Sequence, residues 1–200
     1  MNLYLSSFLL GHETEALRSM AGSGPAKVIP NALDFSTDAA RRQAWIESEL
    51  EDLAGLGIAA EALDLRDYFG RAADLARVLD EVSMLWVLGG NTFLLRQAMH
   101  HSGLDRYLQE RRKDPGFTYA GYSAGVCVLS PSLEGIHLAD KPEAKAEGYD
   151  GNVIWEGLGI LDDYIVPHYR CDHPESPAME AVVAFMRRWG LNTALSRTGK

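Results

Sequence analysis

The chain has 200 residues, 46% of them hydrophobic and 24% charged, with 19 basic side chains against 28 acidic ones and a formal net charge of −9. That length suits one domain over residues 1–200, able to bury a core without disulfides or metals, and the composition excludes a disordered or membrane-embedded chain. An acidic surface repels phosphate backbones, so nucleic acid is excluded as a partner; Cys127 and Cys171 form neither a disulfide framework nor a paired metal motif.

Taken in chain order, the apolar residues 1–10 lack a basic leader and a small-residue cleavage site, and they are too short to span a bilayer. They predict a buried strand over 3–9 and a cytoplasmic protein with no membrane partner. A helix is expected at 13–20, a strand at 26–29, and a long helix at 38–56 in which Ala39, Trp45, Ile46, Leu50, Leu53 and Leu56 share one stripe. Strands follow at 60–65, 84–88 and 117–121, with helices at 71–82 and 92–111 between them. A strand at 164–167 and a helix at 177–189 complete the pattern. Strands that are apolar throughout, alternating with amphipathic helices, predict an α/β fold with a mainly parallel sheet covered on both faces. The stretch 130–159, rich in Gly, Pro, Asp and Glu, is long enough to be either functional or disordered.

The strongest local signal is Gly121-Tyr122-Ser123-Ala124-Gly125, after an apolar run and before Val126-Cys127-Val128-Leu129. This is the strand, sharp turn and helix that a nucleophilic serine requires, with small neighbours to tolerate the strained turn. The N–H of Ala124, directly after the serine, is a natural oxyanion donor. A second donor can come from the turn Leu88-Gly89-Gly90-Asn91-Thr92-Phe93, where two glycines let the backbone approach closely and Asn91 or Thr92 can cap a helix.

A serine hydroxyl needs a base at neutral pH. Of the six histidines (His12, His100, His101, His137, His168 and His173), His100 and His101 fall on the polar end of a helix, and His12 follows the first strand with nothing further to mark it. His168 ends the run Tyr164-Ile165-Val166-Pro167 and so belongs on the rim formed by the carboxyl ends of the strands. The neighbouring Cys171, Asp172 and His173 supply no second cluster to complete a metal shell, so no metal is expected. Glu134, Asp140, Glu143, Glu147, Asp150, Asp162 and Asp163 are all available to orient the imidazole, and periodicity does not choose among them.

In this order, Gly89-Gly90-Asn91-Thr92-Phe93, Gly121-Tyr122-Ser123-Ala124-Gly125, Pro131-Ser132 and Pro167-His168-Tyr169 resemble the dipeptidase E (alpha-aspartyl dipeptidase) family of serine peptidases. The resemblance runs from about Leu3 to the end. It implies a three-layer sandwich of the flavodoxin-like, class I glutamine amidotransferase-like kind, with serine in place of the amidotransferases' cysteine. It further implies Ser123 as nucleophile, His168 as base, Gly90 and Ala124 as oxyanion donors, and a loop acid before a residue-plus-proline pair. Asp140-Lys141-Pro142 fits that last pattern, with Glu134 as its rival. Asn91, Thr92 and Arg170 are the substrate-binding candidates, and the substrate implied is a dipeptide or short peptide cleaved by a monomer or homodimer without a cofactor.

Two departures from the family pattern stand out. The aspartyl-specific branch carries Gly-Glu-Thr-Arg after the histidine, whereas Pro174-Glu175-Ser176-Pro177 stands here, with Pro177 at the arginine's position and Arg170 as a possible substitute. Family members also continue into a closing hairpin, so a truncated C-terminus is expected. An esterase or cyanophycinase-like peptidase on the same scaffold, or an inactive small-molecule-binding protein, are the alternatives.

Overall fold

A computed structural model describes the fold over residues 1–195; residues 196–200, the end of the stretch where truncation is expected, lie outside the described residues. Strands β1 (Asn2–Ser6), β2 (Ala26–Ile29), β3 (Ala60–Ala62), β4 (Met84–Val87) and β5 (Thr118–Tyr122) form a parallel sheet in the order β1-β5-β4-β2-β3. Around it run α1 (Thr14–Met20), α2 (Ala39–Gly55), α3 (Ala72–Leu79), α4 (Thr92–Ser102), α5 (Leu104–Glu110), α6 (Ala124–Cys127) and α7 (Ser176–Arg188).

Two core clusters show how the layers arise from strand alternation. Met84 and Trp86 of β4, with Ala120 and Tyr122 of β5, pack with Leu17 of α1 and Ile46 and Leu53 of α2. Leu85 and Val87, with Tyr119, pack with Leu75 and Leu79 of α3, Leu95 of α4, Leu108 of α5 and Ala124 of α6. Successive strand side chains point to opposite faces, so an all-apolar strand must be covered twice. Each fully buried side chain of this size contributes about 1.5–3 kcal/mol. The α/β sandwich expected from the sequence is the fold observed. No helix among the described residues is long and apolar enough to cross a membrane.

Four expectations are corrected. The helix expected at 92–111 is broken at Gly103, whose φ of 82° ends α4 and starts α5; a Cβ there would lie 2.5 Å from that of Ala72. On α2 the buried stripe is Ile46, Glu49 and Leu53, while Ala39 and Trp45 are exposed. The carboxylate of Glu49 is buried because it accepts from Trp86 Nε1 at 2.9 Å and from the Tyr122 hydroxyl at 2.8 Å. The first strand ends at Ser6 rather than residue 9, since Leu9 turns away with φ 47°. Finally, β6 (Tyr164–Val166) lies outside the main sheet and pairs in parallel with β7 (Thr193–Leu195).

Candidate active site

Pairing registers gather three turns at one end of the sheet. Ser6 of β1 is opposite Tyr122 of β5, and Val87 of β4 is opposite Gly121. The segments that follow these strands, at Ser7, Gly89 and Ser123, therefore leave adjacent strands on the same rim. Ser123 has φ 50° and ψ −113°, a backbone conformation that costs a non-glycine residue about 1–3 kcal/mol. The surroundings hold it there. A Cβ on Gly121 would approach the Val87 carbonyl oxygen to 2.7 Å and one on Gly125 to 2.4 Å, so β4 packs directly against the turn. The Tyr119 hydroxyl donates to the Gly125 carbonyl at 2.6 Å, and Glu49 anchors Tyr122 from the other face.

His168 meets the serine, its Nε2 lying 3.1 Å from Ser123 Oγ. The residue is only 1% exposed. The sequence places His168 on the rim of the parallel sheet as the end of a strand, but β6 lies outside that sheet. The residue arrives instead because β6 docks on the segment after α6: Ile165 N–H donates to Ser130 Oγ, and Cys127 Sγ donates to the Ile165 carbonyl. The Ser7 hydroxyl accepts the His168 N–H at 2.9 Å, and His168 itself has φ 55°. Phe8 sets its ring edge-on at 6.0 Å, and the His173 ring stacks at 3.7 Å with 10° between planes. Burial, with a smaller contribution from His173, lowers the His168 pKa to about 4. The imidazole is thus neutral at pH 7.

The other predicted residues divide. Asp140 does not bond His168; its Oδ2 accepts the N–H of Thr92 at 2.8 Å, at the start of α4, and burial raises its pKa to about 6. The physical reason is that the first amides of a helix are unsatisfied donors aligned with the positive end of its dipole. His168 Nδ1, where an orienting acid would sit, is buried without a hydrogen-bond partner among the described residues. Glu134, the rival, is exposed. Asn91 and Thr92 are occupied structurally: Asn91 Oδ1 caps α4 at Leu94 N–H, and Asn91 Nδ2 donates to the Lys141 carbonyl. Arg170 is exposed, with its guanidinium 5.1 Å from the Tyr169 ring centroid. Gly90 lies so close to Ala32 that a Cβ would sit 2.3 Å from its carbonyl oxygen, and its φ is 138°. Only glycine fits this turn. His101, expected on a solvated face, is half-buried against Phe69 and faces Asp150 at 3.5 Å.

Sequence reasoning missed Ser7, Phe8 and Glu175. Glu175 Oε2 lies 3.9 Å from His168 Nε2. His168, His173 and Glu175 bring potential ligand atoms within 4.8 Å of one another. The two imidazoles, however, lie face to face, so their in-plane lone pairs run parallel and do not converge on one ion. A metal would require one ring to turn out of the stack.

The profile of peptidase family S51 matches residues 10–194. Peptidase E of Streptomyces coelicolor is 32% identical over 171 residues, covering 83% of this chain and 61% of that protein. An uncharacterized peptidase of Listeria innocua is 32% identical over 114 residues, covering 57% of this chain and 48% of the relative. The chain thus spans about half to three-fifths of the length of the curated relatives it matches. Among solved structures, a protein of Listeria monocytogenes EGD-e provisionally named peptidase E superposes with a TM-score of 0.74 at 22% identity, over 98% of this chain and 90% of the other. A peptidase from an acI-B1 actinobacterium gives 0.61 at 18% identity, over 89% and 74%. These two share the fold. With a match over nearly its whole described length, the chain belongs to peptidase family S51.

Proposed function

We propose that the chain is a serine peptidase that cleaves dipeptides or short peptides through an acyl-enzyme, with Ser123 as nucleophile and His168 as general base. The observation that carries this reading is the 3.1 Å approach of His168 Nε2 to the hydroxyl of a serine held at φ 50° between β5 and α6. Family membership supports the reaction class.

The neutral imidazole accepts the Ser123 proton as Oγ attacks the peptide carbonyl. The N–H groups of Gly90 and Ala124 are the donors for the oxyanion, a contribution of about 3–4 kcal/mol per donor in comparable sites. As the tetrahedral adduct collapses, the imidazolium protonates the leaving amine. Water then attacks the ester, giving its proton to the same nitrogen, and Ser123 is regenerated. Asp140 acts at a distance in this scheme: it holds the first turn of α4, and with it the segment that carries Gly90.

A preference for N-terminal aspartate would need a cation at the site. Arg170 is turned onto Tyr169, and Pro177 stands in the first turn of α7, so the reading does not extend to that preference. Labelling with a fluorophosphonate, together with hydrolysis of a dipeptide panel, tests the proposal. Wild-type protein is expected to label at pH 7 and Ser123→Ala to lose labelling and turnover. A folded wild-type protein that neither labels nor cleaves peptides would refute the assignment.

A further inference from the structure

The catalytic imidazole is held by its face rather than by an acid. His168 Nδ1, the nitrogen that a carboxylate would orient, is buried without a hydrogen-bond partner among the described residues. The ring is covered instead by His173, stacked on it with centroids 3.7 Å apart and 10° between planes. Phe8 sets its own ring against both, 6.0 Å from His168 and 5.1 Å from His173. His173 is itself fixed, because the backbone N–H of Glu175 donates to its Nδ1 at 3.3 Å. That bond occupies the Nδ1 lone pair, so the neutral ring carries its proton on Nε2. Burial lowers the His173 pKa from 6.5, which keeps the ring neutral at pH 7.

The geometry of the stack is informative about its use. Two neutral aromatic rings prefer an offset or edge-on arrangement with centroids about 4.5–7 Å apart, since both faces are electron-rich. A near-parallel pair at 3.7 Å is poorly matched to two neutral rings. It is well matched to a cation lying on an aromatic face, an attraction that is strongest where water is excluded. The site generates such a cation. When Ser123 Oγ gives its proton to His168 Nε2, a ring that is 1% exposed becomes an imidazolium. Its face already rests on His173, so no group has to move to meet the charge. A proton on His173 would turn this attraction into repulsion between like charges, the sense in which His173 lowers the His168 pKa.

We propose that His173 is a positioning residue for the base: its neutral ring fixes the plane of His168 and stabilises the imidazolium formed as Ser123 is deprotonated. The proposal rests on the reading of Ser123 and His168 as the catalytic pair. It assigns to an aromatic face the part that an acid on Nδ1 would otherwise play.

The test compares wild-type protein with His173→Phe, His173→Leu and His173→Met, labelled by a neutral fluorophosphonate from pH 4 to 8. All three variants lose the bond from the Glu175 N–H, and the Glu175 carboxylate, 3.9 Å from His168 Nε2, is the same in every protein. Only His173→Phe restores an aromatic face. Its limiting rate of labelling should exceed that of His173→Leu and His173→Met by roughly 5- to 30-fold, the worth of a desolvated cation–π contact. The half-saturating probe concentration should agree within about twofold among the variants, because the imidazolium forms only in the reaction step. The acid limb should lie at higher pH in His173→Phe than in the other two, since a face that stabilises the imidazolium raises its pKa and none of the replacements titrates. Thermal melts establish that each variant is folded. His173→Leu or His173→Met labelling as fast as His173→Phe would overturn the proposal, because it would reduce His173 to a cover that excludes water. A difference confined to the half-saturating concentration would overturn it as well. A wild-type protein that does not label at all would instead remove the catalytic reading beneath it.

Discussion

The low pKa of His168 provides a direct test of the site. Its cause is burial, so the titration of the imidazole reports whether the ring is enclosed as described. The perturbation is pH, and the assay is the second-order rate of Ser123 acylation by a neutral fluorophosphonate, read in seconds after a pH jump. A neutral probe is used so that substrate charge stays out of the profile. With a pKa of about 4, some 90% of the imidazole is neutral at pH 5, and the rate should remain close to its plateau. An ordinary histidine near 6.5 would leave only about 3% neutral at the same pH. The gap between the two pKa values corresponds to roughly 3 kcal/mol of differential stabilisation of the neutral form. His168→Gln should remove the limb along with most of the rate, and circular dichroism on the same timescale establishes that the protein is still folded at pH 5. An acid limb centred near 6.5 in folded protein would refute the reasoning, since it would require an imidazole that is solvated or held by a carboxylate at Nδ1.

Further outcomes follow from the packing. Gly125→Ala should cost more than about 2 kcal/mol in urea unfolding, because the new Cβ would lie 2.4 Å from a backbone oxygen, whereas Gly55→Ala, with nothing within 4 Å, should be neutral or stabilising. Glu49→Leu should destabilise by about 2–5 kcal/mol by stranding the Trp86 and Tyr122 donors, and Glu49→Gln by much less, measured by the same titrations. Asp140→Asn should gain stability at pH 8, since Asn still accepts the Thr92 N–H. The folded-state pKa of Asp140 is raised from 3.8 to about 6, so wild type carries a penalty of roughly 3 kcal/mol above pH 6 that is relieved as pH falls towards 4. Thermal melts from pH 4 to 8 should show that slope in wild type and not in the variant; a variant less stable than wild type at pH 8 would refute the assignment.

The strands β2, β4 and β5 were legible because they are buried along nearly their whole length and bounded by turn residues. The sequence-based bounds for β2 coincide with those observed, and those for β4 and β5 shift by one residue. What escaped was information carried by distant partners. α4 is buried from Thr92 to Met99, so it shows no polar face to mark its period, and Gly103 was the only local sign of the break. Glu49 broke the apolar stripe of α2 because its donors come from strands 37 and 73 positions away. A carboxylate on a helix reads as solvated until such donors are known.

The site was legible in the same uneven way. Ser123 and the two glycine turns are local constructions, and their residue types alone specify the conformation. The position of His168 depends on Ser7, 161 residues earlier, and on the docking of β6 after α6, neither of which leaves a pattern in the sequence. Asp140 was chosen by resemblance, and the unsatisfied amide at the head of α4 claims it instead. The consequence is mechanistic. A base fixed by packing, with no anion on Nδ1, forms its imidazolium reluctantly and returns the proton readily. Under the proposed mechanism, serine deprotonation is then the demanding step, and the burden of stabilising charge moves to the amides of Gly90 and Ala124. That places the sensitivity of the reaction in the turns themselves, where glycine is required against Ala32 and Val87 by contacts of 2.3–2.7 Å, rather than in the loop acid.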